Sequence, residues 1–126
     1  NSMSNKSKVY FIPYRGNFTR GIFTASYLEC EESFENVRNI YEEFYRDHPF
    51  TFLSKNDINL KEVVNTNNCH INVKPHDSLI LLTVVLDNLL KGASGQAVQN
   101  LNIIFGYEET LGLNFKGSIP LCLGSI

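Results

Sequence analysis

Apolar residues recur along this chain with two different periods, and the switches between them outline the elements. Phe34, Val37, Tyr41, Phe44 and Tyr45 return every three or four residues, the spacing of one helix face. This predicts a helix from Ser33 to Asp47. Ser33 suits an N-cap, and Glu31, Glu32 and Glu35 suit the positive start of the helix. Glu42 and Arg46 are spaced to pair across one turn. Pro49 blocks continuation and pushes His48 toward an extended backbone. A second stripe, Ala97, Val98, Leu101, Ile104 and Phe105, predicts a helix from Gly95 to Phe105 that buries those residues and stops at Gly106.

The rest of the chain reads as short β-rich runs between turn signals. Residues 8–12 predict a strand ended by Pro13, and Phe18–Leu28 a longer one with a bulge or close approach at Gly21. Phe50–Leu53 predicts a short strand, residues 55–59 a polar loop, and Asn65-Thr66-Asn67-Asn68 a turn. Cys69–Lys74 and Leu79–Leu86 read as a hairpin closed by Pro75-His76-Asp77-Ser78. Leu79–Leu86 is apolar on both faces, which places it inside a sheet. The tail from Leu111, with Gly112, Gly117, Pro120 and Gly124, is expected to run extended and docked. The sum is an α+β fold in one domain, a mixed or antiparallel sheet with helices packed on one face.

Composition narrows the function classes. The net charge of −2 argues against nucleic acid, which demands a basic surface. No apolar run reaches membrane-spanning length, and the first residues lack the apolar centre of a signal peptide. Cys30, Cys69 and Cys122 form an odd set without a CxxC pair, so a reduced, cytoplasmic protein is expected. The chain starts away from a methionine and reads as part of a longer polypeptide.

Candidate chemistry concentrates after the apolar strand. Lys91-Gly92-Ala93-Ser94-Gly95 links a buried strand to a helix start, where small residues admit a ligand to backbone N–H groups. A tight turn without a ligand has the same spacing. Arg20, beside Gly21, suits a clamp on a carboxylate or phosphate, or a solvated side chain. Cys69 has a nucleophile's residue type, but no base is placed near it, and a packed strand cysteine fits better. His48, His70 and His76 are scattered; Cys69 and His70 point to opposite faces of a strand, so no metal site is expected. There is no GxGxxG after an early strand, so these residues hold no independent dinucleotide-binding unit.

The run from Asp87 to Asn102, with Phe105-Gly106-Tyr107-Glu108-Glu109-Thr110 and Gly112-Leu113 after it, resembles the C-terminal signature of the N-acetyl-γ-glutamyl-phosphate reductase family. Phe11-Ile12-Pro13 with Arg20-Gly21-Ile22 resembles that family's first strand pair, and Asn65-Thr66-Asn67-Asn68-Cys69 resembles its NTNxC turn. The resemblance spans residues 8–113. It implies a glyceraldehyde-3-phosphate dehydrogenase-like C-terminal dimerisation domain of an NADP-dependent enzyme in arginine biosynthesis. Such an enzyme reduces an acyl phosphate to a semialdehyde through a cysteine thioester, with a histidine managing protons. The family's GCYPT-like and HxHxPEI-like motifs do not occur here, so the nucleophile, the histidine and the Rossmann domain are expected upstream, and this stretch alone is expected to be inactive. Tyr14 stands where some relatives carry a histidine. The resemblance further implies that Lys91, Gly92, Ala93, Ser94 and Gly95 approach the nicotinamide end of NADPH. It makes Arg20 the candidate for the anionic substrate, leaves no catalytic residue among these positions, and implies homo-oligomers. The alternatives are a non-catalytic dimerisation or interaction domain, and a related aspartate-semialdehyde dehydrogenase.

Overall fold

The computed structural model describes residues 10–116. Four strands form one mixed sheet in the order β1-β4-β3-β2. Here β1 is Ile22–Leu28, β2 Thr51–Ser54, β3 Cys69–His76 and β4 Leu79–Leu86. β4 pairs antiparallel with β1 and β3, whereas β2 joins β3 in parallel. The apolar β4 is therefore an inner strand, as its two-faced pattern predicts. The hairpin is tighter than its sequence suggests. Pairing continues through Pro75↔Ile80 and His76↔Leu79, leaving only Asp77 and Ser78 in the turn. Pro75 is tolerated because β2 pairs with β3 only as far as Asn72. Asp77 takes the positive φ of 51° that a two-residue turn requires.

Helix α1, Phe34–Tyr45, begins where expected, with the Ser33 hydroxyl accepting from the Asn36 N–H. Such a cap is worth about 1 kcal/mol. Val37 is buried from this helix, with Phe34, Tyr41 and Tyr45 beside it. They pack on Cys69, Ile71, Val73 and Ile80, with Leu53, Leu82, Val84 and Leu86 around them. Cys69, Ile71 and Val73 alternate along β3, and the register sets them opposite Leu86, Val84 and Leu82. One sheet face and one helix face thus make the core. The expected Glu42–Arg46 pair does not form: Glu42 reaches back to Arg38, whose Nε lies 2.9 Å away. Arg46 already lies at the C-cap, outside the last regular turn.

The opposite sheet face is closed at one end only. Between β2 and β3 the chain crosses it through a 3₁₀ turn at Leu60–Glu62. Glu62 sits 3.3 Å from the His70 ring, and the Asn72 amide donates to the carbonyls of Ser54 and Asn56. Beyond that crossing, Phe23, Tyr27 and Phe52 remain exposed at 53%, 57% and 46%.

Three expectations are corrected. Residues 10–12 form no strand and are exposed, and residues 8–9 of that expectation lie outside the described residues. Strand propensity there meets no pairing partner, and Pro13 removes a backbone donor. β1 starts at Ile22 rather than Phe18, because Gly21 adopts φ 116° and breaks the extended run. After β4, a π-helical turn at Leu90–Ser94 leads into α2, Gly95–Ile104. The stripe expected to be buried on α2 is exposed: Ala97, Val98, Leu101, Ile104 and Phe105 all face outward, Ile104 at 73%. Gly95, Gln99 and Asn102 are buried in their place. The polar stripe finds hydrogen-bond partners inside this unit, and that decides which side turns in. Of the tail, residues 111–113 turn and Leu113 is buried, while residues 117–126 lie outside the described residues.

Candidate functional site

β4 delivers Asp87 to the end of the sheet, where its side chain is fully buried. A buried carboxylate is costly unless its oxygens are satisfied. Here Oδ1 accepts from the backbone N–H groups of Leu89 and Leu90 at 2.8 and 2.9 Å. Oδ2 accepts from the Asn65 N–H at 2.7 Å and lies 2.8 Å from Arg20 Nε. The Arg20 contact is chiefly coulombic, since the Nε–H is not aligned for a hydrogen bond. Burial alone would raise the Asp87 carboxyl. The donors from Asn65, Leu90 and Leu89 and the Arg20 guanidinium outweigh it and hold the group below the usual carboxylate range.

Arg20 is anchored twice, for its Nη1 also donates to Asn65 Oδ1 at 2.8 Å. The next residues are tied in parallel: Gly21 N–H donates to Asn88 Oδ1 at 2.7 Å. Asn65 holds φ 65°, a left-handed conformation that asparagine tolerates well. Arg20 lines a cleft of about 350 Å³ together with Arg15, Thr19, Gly21 and Asn88. A pair of guanidinium-bearing residues at one cleft suits an anion.

The glycine-bearing loop is a widened helical turn. Gly92, Ser94 and Gly95 N–H bond to the carbonyls of Asp87, Leu89 and Leu90, each five residues back. Those N–H groups are therefore taken up inside the turn, and the Leu89 and Leu90 N–H groups by Asp87. The loop offers close approach through small side chains instead: Gly92, Ala93 and Ser94 are exposed. Gly95 faces inward. A Cβ there would stand 2.1 Å from Asn67 Oδ1 and 2.8 Å from the Leu90 carbonyl. Lys91 also turns inward. Its Nζ donates to Gln99 Oε1 at 2.7 Å and lies 5.7 Å from the centre of the buried Phe50 ring. Gln99 in turn donates to Glu109 at 2.6 Å, and Asn67 donates to Gln99 at 3.3 Å. Asn102 fastens the following turn through the carbonyls of Glu109 and Leu111. Burial pushes the Lys91 ammonium below its ordinary range, against the pull of Cys69 and Glu109.

Cys69 is buried in β3, and burial raises its thiol above the ordinary range despite the nearby Lys91 charge. A raised thiol carries little thiolate at neutral pH, which fits a packing role. Among the described residues no three His, Cys, Asp or Glu side chains gather at a metal-sized site, and no helix is long and apolar enough to cross a membrane. Sequence reasoning named Arg20 and the 91–95 loop as candidates and did not name Asp87, Asn65, Asn88 or Arg15 as site residues. The available signal was a lone aspartate ending an otherwise apolar strand.

Fold and site together define a sheet-based module with one open face beside an anion-suited cleft. Residues 1–88 match the model of the semialdehyde dehydrogenase dimerisation domain, and the chain belongs to that family. It is 52% identical over 118 residues to the N-acetyl-gamma-glutamyl-phosphate reductase of Karelsulcia muelleri (strain GWSS), covering 92% of this chain and 36% of the relative. The reductases of that name from Parabacteroides distasonis and Christiangramia forsetii are 52% and 51% identical, over 91% and 87% of this chain. The chain spans 34–36% of the length of these relatives.

Two outcomes are expected. A carboxyl whose folded pKa is depressed contributes stability above its unfolded value of about 3.9, and loses it as pH falls through the lower folded value. The stability gap between the protein and Asp87→Asn should therefore narrow on acidification below that point, as read by urea unfolding from neutral to acid pH; a constant gap contradicts it. Gly95→Ala should cost about 1–3 kcal/mol by overpacking against Asn67 and the Leu90 carbonyl, measured the same way.

Proposed function

We propose that this chain is the C-terminal, dimer-forming and substrate-shaping part of an NADPH-dependent N-acetyl-γ-glutamyl-phosphate reductase. The whole enzyme reduces N-acetylglutamyl 5-phosphate to N-acetylglutamate 5-semialdehyde in arginine biosynthesis. The observation that carries this reading is the 52% identity, over about nine tenths of the chain, to relatives named for that activity. The site's chemistry supports it. The cleft with Arg15 and Arg20 suits an acyl phosphate, and the exposed Gly92-Ala93-Ser94 surface leaves room for a nicotinamide cofactor. Bound there, the cofactor supplies the hydride. In this reading Gly92, Ala93 and Ser94 present the approach surface, while Lys91 and Gly95 keep that surface in shape from behind through Gln99 and Asn67. Arg20 binds the substrate anion. The nucleophilic cysteine and proton-handling histidine belong to the rest of the enzyme, since neither motif occurs in residues 1–126.

The open sheet face is where a second copy packs. Phe23, Tyr27 and Phe52 expose large rings on one face of the sheet, from its two outer strands, an arrangement uncommon on a monomer's surface. The family's description as a dimerisation domain supports this assignment.

The full-length protein should turn over N-acetylglutamyl phosphate with NADPH and leave aspartyl phosphate nearly untouched. In it, Arg20→Ala should raise the KM for the acyl phosphate about tenfold, the equivalent of one charge-assisted hydrogen bond. Lack of turnover, or a preference for aspartyl phosphate, defeats the assignment. Separately, Tyr27→Asp should weaken self-association about tenfold or more in sedimentation equilibrium, since it places a charge in a buried apolar contact. An unchanged dimer would move the interface elsewhere.

A further inference from the structure

We propose that Asp87 is a positioning residue: one carboxylate sets the Arg20 guanidinium and the Leu89–Gly95 loop in fixed relation, coupling the substrate subsite to the cofactor subsite. The inference rests on the reductase reading and deepens it. Its basis is how the two oxygens divide the work. Oδ1 holds the loop through the Leu89 and Leu90 N–H groups, and Oδ2 holds Arg20 Nε and the Asn65 N–H. Arg20 is steadied again by Asn65 Oδ1. With Nε and Nη1 engaged, Nη2 is the guanidinium nitrogen these contacts leave over. An arginine side chain otherwise samples many rotamers, and the ion pair with Asp87 and the bond to Asn65 restrict it. The parallel bond from Gly21 N–H to Asn88 Oδ1 repeats the tie one residue further along both segments, just before β1 and just after β4. Arg20 and the loop are more than sixty residues apart in sequence, so no local bond orients one against the other.

Asp87→Asn separates the two halves of this device. Its amide oxygen can still accept from Leu89 and Leu90, but its NH₂ group then faces the Asn65 N–H and Arg20. In the full-length enzyme, Asp87→Asn should raise the KM for the acyl phosphate about tenfold while the KM for NADPH stays within about twofold. Arg20→Ala added to Asp87→Asn should change that KM by less than about twofold, because both substitutions remove one interaction. The Arg20 Nε–H resonance in proton–nitrogen NMR should shift or broaden in Asp87→Asn, while the Leu89 and Leu90 amides stay protected from exchange. Equal rises in both KM values, fully multiplicative effects in the double variant, or an unaltered Arg20 signal overturn the proposal. A wild-type enzyme that fails to turn over N-acetylglutamyl phosphate defeats the reductase reading instead, and the NMR comparison still decides the tether. Should Asp87→Asn not fold, Asn65→Gly serves: it keeps the positive φ and the backbone donor and removes the second Arg20 anchor. It should raise the acyl-phosphate KM about threefold with NADPH unaffected, and an unchanged acyl-phosphate KM again overturns the proposal.

Discussion

A single buried carboxylate holds this molecule's end of the sheet together. Asp87 lies at the end of an inner strand with no solvent to satisfy it. Its donors come from three separate places: residue 20 before β1, residue 65 before β3, and residues 89 and 90 after β4. Burying the charge therefore requires those segments to converge. Two unusual backbone conformations lie where these segments converge. Asn65 takes a left-handed backbone just where its N–H meets Oδ2, and Gly21 takes φ 116° where the chain swings from Arg20 into β1. The turn after Asp87 widens to a π-helical one, with the Asp87 carbonyl receiving the Gly92 N–H while its side chain caps Leu89 and Leu90.

A second polar network explains the orientation of α2. Lys91, Gln99 and Glu109 form a chain from ammonium to amide to carboxylate, with Asn67 joining at Gln99. Each group needs the others once removed from water. Gly95, Gln99 and Asn102 recur at helical spacing, so the polar side of the helix is as continuous as its apolar side. The helix binds this unit through amides and leaves Leu101, Ile104 and Phe105 outward. Apolar area is thus displayed on this helix as well as on the open sheet face. A domain that does its work against other surfaces needs such display.

What could be read from the sequence follows the range of the interactions involved. α1, β2 and the β3–β4 hairpin rest on local periodicity and on apolar runs, and these survive in a single sequence. Ser33 capped the helix as its type implies. The failures share a different cause. Residues 10–12 have strand-forming side chains but no partner ladder, and pairing is not a local property. The stripe on α2 was found with the right period and the wrong polarity, because apolar periodicity reports a surface but not what covers it. Arg20 stood out by type, yet its partners Asp87 and Asn65 are 67 and 45 residues away, and spacing carries no signal at that range.

The glycine-bearing loop shows why one motif can hide two constraints. Read along the chain, Gly92-Ala93-Ser94-Gly95 is one run of small residues with one apparent reason, room for a ligand. In three dimensions a helical turn presents its successive residues to different sides. Gly92, Ala93 and Ser94 face outward, and Gly95 faces Asn67 at a distance that admits no Cβ. The inner glycine is small because the protein's own amide fills its space. The outer residues are less tightly enclosed: a Cβ on Gly92 would meet Asp87 O and Leu86 Cδ1 at 3.2 Å, a close contact that asks those neighbours to give by a few tenths of an ångström. Small exposed residues at 92–94, on a surface beside a cationic cleft, leave space for something outside the turn. Under the proposed reductase reading, the flat ring of the cofactor would take that space.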